Sequence, residues 1–232
     1  MKLKKPSLRK ILKLIRFAVF FFFISTISVT IIFRFIRPPV TPLQLIRVAE
    51  QIADGQKVKM SRDWVRLKDI SPAMVQAVVA SEDNNYMEHY GIDFEAVKKA
   101  RELNKKRKRL IGASTISQQT AKNVFLWPDR TWLRKGLEVY FTGLIEIFWG
   151  KRRIMEVYLN VIEMGDGIYG VEMASQRYFH KPASSLSRPE AALIAAVLPN
   201  PRRWSPAAPT AYIQRKQQRI LRVMNQIEKV EF

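Results

Sequence analysis

The sequence predicts a mainly α protein carried by one N-terminal transmembrane helix. Three observations lead there. An uncharged apolar run lies near the start, and apolar residues recur at helical spacing from about residue 71 onward. The 232 residues also hold 40 Lys and Arg against 20 Asp and Glu, a formal net charge of +20, yet 47% are hydrophobic. That is too apolar for a disordered polycation and enough for one core.

The first segment, Met1 to Arg16, carries Lys2, Lys4, Lys5, Arg9, Lys10, Lys13 and Arg16 with no acidic residue. From Phe17 to Phe33 the chain reads FAVFFFFISTISVTIIF, 17 residues without a charge. This is the short end of what crosses a bilayer, and Arg16 and Arg34 can snorkel to the headgroups. A cleaved signal peptide would need a small-x-small site, which Phe33-Arg34-Phe35-Ile36-Arg37 does not offer. A buried core helix is rarely preceded by so many cations. The expected organisation is a basic cytoplasmic tail at 1–16, an anchor at 17–36 and an exported domain at 40–232, with the N-terminus inside by the positive-inside rule.

Residues 1–36 hold eight cations, which leaves 32 basic against 20 acidic residues for the remainder. Outside the cytoplasm nucleic acid is not the expected partner. Anionic lipid headgroups or a pyrophosphate-bearing lipid are. With no cysteine and only His89 and His180, disulfides, Cys-type zinc sites, a Cys nucleophile and a His-rich metal centre are excluded. Acid–base chemistry then falls to Glu or Asp.

Beyond Arg37-Pro38-Pro39, Thr41-Pro42 starts an amphipathic helix through Ala53, closed by Gly55. Val58 to Leu67 alternates weakly, as a short strand would. Helices are expected near 72–83, 93–104, 115–125, 132–149, 151–160, 170–178, 188–198 and 210–228. Ser187-Arg188-Pro189-Glu190 has capping-box spacing.

Four of these stretches can carry chemistry. In SPAMVQAVVASED, residues 71–83, helical spacing puts Glu82 on the arc of Met74, Val75 and Val78, at the helix end and beside Asp83. All three features disfavour its charged form, as suits a general base or acid. The same pattern also fits a helix-end Glu turned to solvent. In Gly112 to Asn123, Ser114 or Thr115 can cap a helix that brings Gln118, Gln119 and Lys122 within one turn, which suits an anionic or sugar ligand, or simply a capped surface helix. Arg130 precedes a Thr131-capped helix with Arg134, Lys135 and Glu138, the last on the margin of a stripe of Leu133, Leu137, Phe141, Leu144, Ile145 and Phe148. That group is either exposed helix support or a holder for a diphosphate. Lys151 to Asn160, with Ile154, Val157 and Tyr158 inward, reads as structural.

Taken in order, Glu82-Asp83-x-x-Tyr86-x-x-His89-x-Gly91, Gly112-x-Ser114-Thr115-Ile116-Ser117-Gln118-Gln119, Arg134-Lys135-x-x-Glu138, Lys151-x-x-Ile154-x-Glu156-x-Tyr158-Leu159-Asn160 and Arg188-Pro189-Glu190-Ala191-Ala192 are far more specific than any one alone. This series resembles the peptidoglycan glycosyltransferases of the penicillin-binding protein glycosyltransferase family (glycosyltransferase family 51), and in length and layout its monofunctional members. The resemblance covers nearly all of 40–205. Tyr86 stands where the family usually has Phe, and Ser117 where many members have Thr.

The resemblance implies a lysozyme-like, mostly helical domain with a membrane-facing subdomain. It implies lipid II and the growing glycan strand as substrates, with a β-1,4 bond formed by inversion and undecaprenyl diphosphate released. By position, Glu82 matches the base for the acceptor 4-hydroxyl, Lys122 and Arg130 the cations on the donor diphosphate, and Glu138 the second essential carboxylate. Ser114, Gln118 and Gln119 would line the donor site, with Arg134 and Lys135 steadying Glu138. The basic stretches Lys98-Lys99-Ala100-Arg101 and Lys105-Lys106-Arg107-Lys108-Arg109 would meet headgroups or the lipid diphosphate, or form a solvated charge run. No cofactor is required and no dense carboxylate cluster suggests a metal site, although a divalent cation on the diphosphate is compatible. Membrane lipids and other cell-wall synthesis or division proteins are the remaining expected partners. A fused transpeptidase is not expected, since no residues follow Phe232 and the one Ser-x-x-Lys, Ser7 to Lys10, lies in the tail. The rival readings are a lysozyme-like glycan-cleaving enzyme, which has no use for Lys122 and Arg130, and a non-catalytic membrane-tethered scaffold.

Overall fold

A computed structural model describes residues 7–105, 112–129 and 131–232. The chain divides into two units, Met1–Arg37 and Pro38–Phe232. In the first, helix α1 (Leu8–Phe35) runs for 28 residues, about 42 Å at 1.5 Å per residue. It begins well before Phe17, so the helix takes in Arg9, Lys10, Lys13 and Arg16 as well as the uncharged run. Its Phe and Ile side chains are exposed almost throughout, as a helix solvated by lipid requires.

The second unit contains nine further α-helices among the described residues: α2 (Pro42–Ala53), α3 (Pro72–Glu82), α4 (Phe94–Asn104), α5 (Ile116–Phe125), α6 (Trp132–Phe148), α7 (Gly150–Val161), α8 (Val171–Phe179), α9 (Arg188–Val197) and α10 (Ala211–Met224). Each lies within a few residues of its expected span. The strand expected over 58–67 shrinks to β1 (Ser61–Arg62), which pairs in parallel with β3 (Ile168–Tyr169), while β2 (Glu163–Gly165) pairs antiparallel on the other side of β3.

Caps set the helix starts. Thr41 with Gln44, Thr115 with Gln118, and Ser187 with Glu190 each close a capping box. Asp93 caps α4 by accepting the Ala96 N–H at 2.7 Å.

Helix α3 is the centre of the core. Met74 through Ala80 are all buried, so this helix has no polar face. The expected amphipathic α3, with Glu82 on its apolar arc, is therefore corrected: α3 is enclosed and Glu82 emerges at its end. It packs against α9, whose Ala191, Ala192, Ala195 and Ala196 are fully buried and let the two backbones approach closely. Gln76 ties the chain's C-terminal segment to α3, donating to the Glu228 carbonyl at 2.9 Å and accepting from the Val230 N–H at 3.1 Å. The α6 stripe is also narrower than expected. Phe141, Leu144 and Ile145 are buried, but Leu133, in the first turn of α6, is exposed.

Candidate active site

Helix α3 ends at Glu82, whose half-buried side chain opens into a cleft of about 520 Å³ walled by the end of α3, one face each of α4 and α10, and the loop before α5. Glu82 Oε1 accepts from the Ser81 hydroxyl at 3.1 Å, and Oε2 accepts from Gln119 Nε2 at 3.0 Å. Gln119 is in turn oriented by Tyr158, whose hydroxyl donates to its Oε1 at 3.3 Å. Tyr158 is wholly buried, and burial, then the fields of Glu82 and Asp83, hold its pKa well above the ordinary phenol value. It stays a neutral donor.

The next residue, Asp83, anchors α5. Its Oδ2 accepts the Ile116 N–H at 2.9 Å, the first free amide of that helix, and His89 Nε2 lies 2.9 Å from its Oδ1. Gly91 completes the joint. Its carbonyl accepts the Thr115 hydroxyl at 2.5 Å, and at φ 86° a Cβ there would lie 2.6 Å from Thr142 Cγ2 on α6. So the first motif, Glu82 to Gly91, fixes the start of the second.

Nearly two turns along α5, the side chain of half-buried Lys122 has no hydrogen bond or ion pair among the described residues. Burial lowers its pKa below the ordinary lysine value. Glu138 and, more weakly, Glu82 pull it back up, while Arg134 and Lys135 push it down. Lys122 thus feels both carboxylates.

Glu138 is buried, not marginal. It accepts from Arg134 Nη1 and, at 2.5 Å, from Lys135 Nζ. The exposed-pair reading is therefore set aside: the Glu138 side chain is 4% exposed and that of Arg134 11%. A single carboxylate shared by two cations, with a third cation beside it, leaves this corner positive and suited to an anion.

The other sequence-selected residues sort clearly. Ser114 is exposed and lines the cleft with Glu82. Gln118 is buried, and its Oε1 accepts the Thr115 N–H at 3.0 Å, so its carbonyl is committed to the helix start. Lys99 borders the cleft. Lys105 pairs with Glu102. Arg130 and Lys106 to Arg109 lie outside the described residues.

Sequence reasoning missed Lys216 and Arg219 on α10, which line the cleft from the opposite wall. Lys216 Nζ donates to the Ala196 carbonyl at 3.1 Å, and burial lowers its pKa while Glu82 raises it. Their alternation with polar neighbours reads as an ordinary helix surface, and only the close packing of α10 on α9 and α3 turns it inward. Also missed was the role of the Lys151 to Asn160 stretch. Tyr158 orients Gln119, Asn160 makes paired hydrogen bonds with the Val65 backbone, and Glu156 accepts the Leu67 N–H, bracing the approach to α3.

Residues 48–225 match the family model described as Transglycosylase. The chain belongs to this transglycosylase family. Among its relatives, a biosynthetic peptidoglycan transglycosylase of Bacteroides thetaiotaomicron is 54% identical over 222 residues, 96% of this chain and 90% of the relative. One of the same name from Bdellovibrio bacteriovorus is 53% identical over 88% of this chain and 82% of the relative. Another, from Rhodospirillum centenum, reaches 58% over 85% and 84%. In this transglycosylase the matched span runs from within α2 to the end of α10, and so takes in every wall of the Glu82 cleft.

Proposed function

We propose that this peptidoglycan glycosyltransferase polymerises lipid II with Glu82 as general base and with Lys122, Arg130 and the Glu138 cluster holding the donor diphosphate. The acceptor 4-hydroxyl gives its proton to Glu82 as its oxygen bonds to the donor anomeric carbon. The bond from that carbon to the diphosphate breaks, and the electron pair leaves on undecaprenyl diphosphate. An alcohol is a poor nucleophile near neutral pH, so a held carboxylate raises its reactivity. The leaving group needs countercharge more than a proton, which the cations supply.

The observation that carries this reading is the placement of Lys122. It has no ion-pair partner of its own among the described residues and is electrostatically coupled to both Glu82 and Glu138. An anion between base and cation cluster would complete it. Ser114 lines the cleft with Glu82, Gln119 holds Glu82 from α5, Gln118 secures the start of that helix, and Arg134 and Lys135 hold Glu138 in place. A divalent cation, where one takes part, would ride on the diphosphate.

The basic tail and the apolar α1 support a single-pass anchor in the inner membrane, with the N-terminus cytoplasmic and residues 40–232 periplasmic. In this reading the anchor keeps the enzyme on the membrane that carries its lipid-borne substrate, where other wall-building or division proteins are its expected partners.

The test supplies the full chain with lipid II in detergent and follows polymer formation. Glu82→Gln and Lys122→Ala are each expected to lose at least about a hundredfold in rate. Wild-type rates from Glu82→Gln would remove the mechanism. Cleavage of finished glycan without polymerisation would instead support a lysozyme-like hydrolase, and unchanged function in cells of Glu82→Gln would support a scaffold.

A further inference from the structure

A second cationic pocket is built from segments that the cleft does not use. Lys59 and Ser61 around β1, the β2–β3 turn at Asp166, Arg177 near the end of α8, and Arg202 to Ser205 after α9 surround about 480 Å³, a size that takes a saccharide or short peptide. It shares no lining residue with the Glu82 cleft.

Charge at this pocket is unbalanced. Lys59, Arg177, Arg202 and Arg203 face a single carboxylate, Asp166, which pairs with Lys59 Nζ at 2.8 Å and lies 3.9 Å from Arg202 Nε. The Arg177 and Arg203 side chains have no ion pair and no hydrogen bond among the described residues. Beyond the lining, Arg202 also feels Glu163, so the excess rests on the exposed Arg177 and Arg203, and an anionic ligand lowers their repulsion. Guanidinium forks match carboxylates in bidentate geometry.

The walls are held in place. Ser61 N–H donates to the Gly167 carbonyl at 2.8 Å, and a Cβ on Gly167, at φ 70°, would fall 2.6 Å from the Lys59 carbonyl oxygen. Half-buried Trp204 packs against Tyr212 with ring centroids 5.5 Å apart, which fixes an indole at the pocket wall beside the Ser61 and Ser205 hydroxyls. Aromatic surface, hydroxyls and free guanidinium groups together are the donor set for a sugar that carries carboxylates.

We infer that this pocket binds the carboxylate-bearing sugar–peptide units of the glycan strand, away from the reacting centre. The assignment rests on the proposed function for the identity of the strand. Binding, however, is read without turnover, so the two can fail separately: Glu82→Gln polymerising at wild-type rate would sink the mechanism and leave this site standing.

The experiment titrates the full chain in detergent with a soluble disaccharide–tetrapeptide muropeptide. Its arms are the same muropeptide with carboxylates amidated, neutral chitotetraose and inorganic phosphate. In Arg177→Ala/Arg203→Ala, the muropeptide Kd is expected to rise at least about tenfold, while Glu82→Gln leaves it unchanged. The double variant should keep its thermal midpoint, because both side chains are exposed and unpaired. The amidated muropeptide and chitotetraose should bind as weakly as the double variant binds the native one. Equal muropeptide affinity in the double variant, or equal affinity for the amidated form, overturns the proposal. So does phosphate that displaces the muropeptide with matching affinity, which would give the site to a phosphate group.

Discussion

Gln119 Nε2 donates to Glu82 Oε2 at 3.0 Å, and this contact lets one helix steer a carboxylate that terminates another. The steering extends one step further, since the buried Tyr158 hydroxyl fixes the rotamer of Gln119 from α7. Three motifs far apart in the chain are thus linked in a relay of two hydrogen bonds that ends on Glu82.

Tyr158→Phe removes the outer link only. Gln119 Oε1 loses its donor at a cost of about 1 kcal/mol, and Glu82 keeps its position but gains freedom. Polymerisation kcat should fall about fivefold to tenfold with KM little changed. Gln119→Ala, which frees Glu82 directly, should fall further. Steady-state rates on lipid II check both, and a Tyr158→Phe effect confined to KM would argue against a steering role.

Asp83 predicts a different failure. Asp83→Ala leaves the buried Ile116 N–H without an acceptor and His89 without a partner. A loss of about 2 kcal/mol in stability is expected. Because the orphaned amide starts α5, hydrogen exchange should speed up at residues 115–118 before it does in α3. Uniform exchange across both helices would deny Asp83 this local role.

The Glu138 cluster separates its two cations by exposure. Glu138→Gln abolishes a buried ion pair and strands Arg134, whose Nε is already buried without a partner. This should cost about 3 kcal/mol. The Lys135 side chain is 40% exposed, so water screens its bond and Lys135→Ala should cost about 1 kcal/mol or less. Urea unfolding of the two variants side by side gives the comparison, and equal losses would contradict it.

Helix positions were legible in the sequence because capping residues and 3.6-residue periodicity are local. Thr41, Thr115 and Ser187 each mark a start that the structure keeps. What was not legible depended on partners remote in sequence. Periodicity gave α3 a polar side that vanishes because α9 and α10 cover it, and it put Glu138 at a margin that neighbouring side chains close. The site showed the same division. Glu82, Lys122 and Glu138 stood out as charges within ordered motifs, whereas Tyr158, Asp83 and Lys216 act through contacts 39, 33 and 20 residues away in the chain, which local spacing does not reveal.

Lys122 gives the site its pH dependence. Burial, the largest influence, holds its folded-state pKa below the ordinary lysine value, so the unfolded chain keeps this proton to higher pH than the folded one. Between the two pKa values the unfolded state binds more protons, and the contribution of Lys122 to stability rises with pH; below both, the charge is a constant cost to folding. Anion binding runs the other way. The ammonium form grips diphosphate, so affinity for inorganic pyrophosphate should fall as pH climbs through the lowered pKa, sooner than an exposed lysine would allow. Calorimetric titration of the full chain from about pH 7 to about pH 10 reads this loss. Lys122→Arg keeps its charge across that range and should bind with no alkaline decline. Lys122→Ala should bind weakly throughout. An alkaline decline in Lys122→Arg equal to that of the unaltered chain would move the titration to another group, Lys216 first among them.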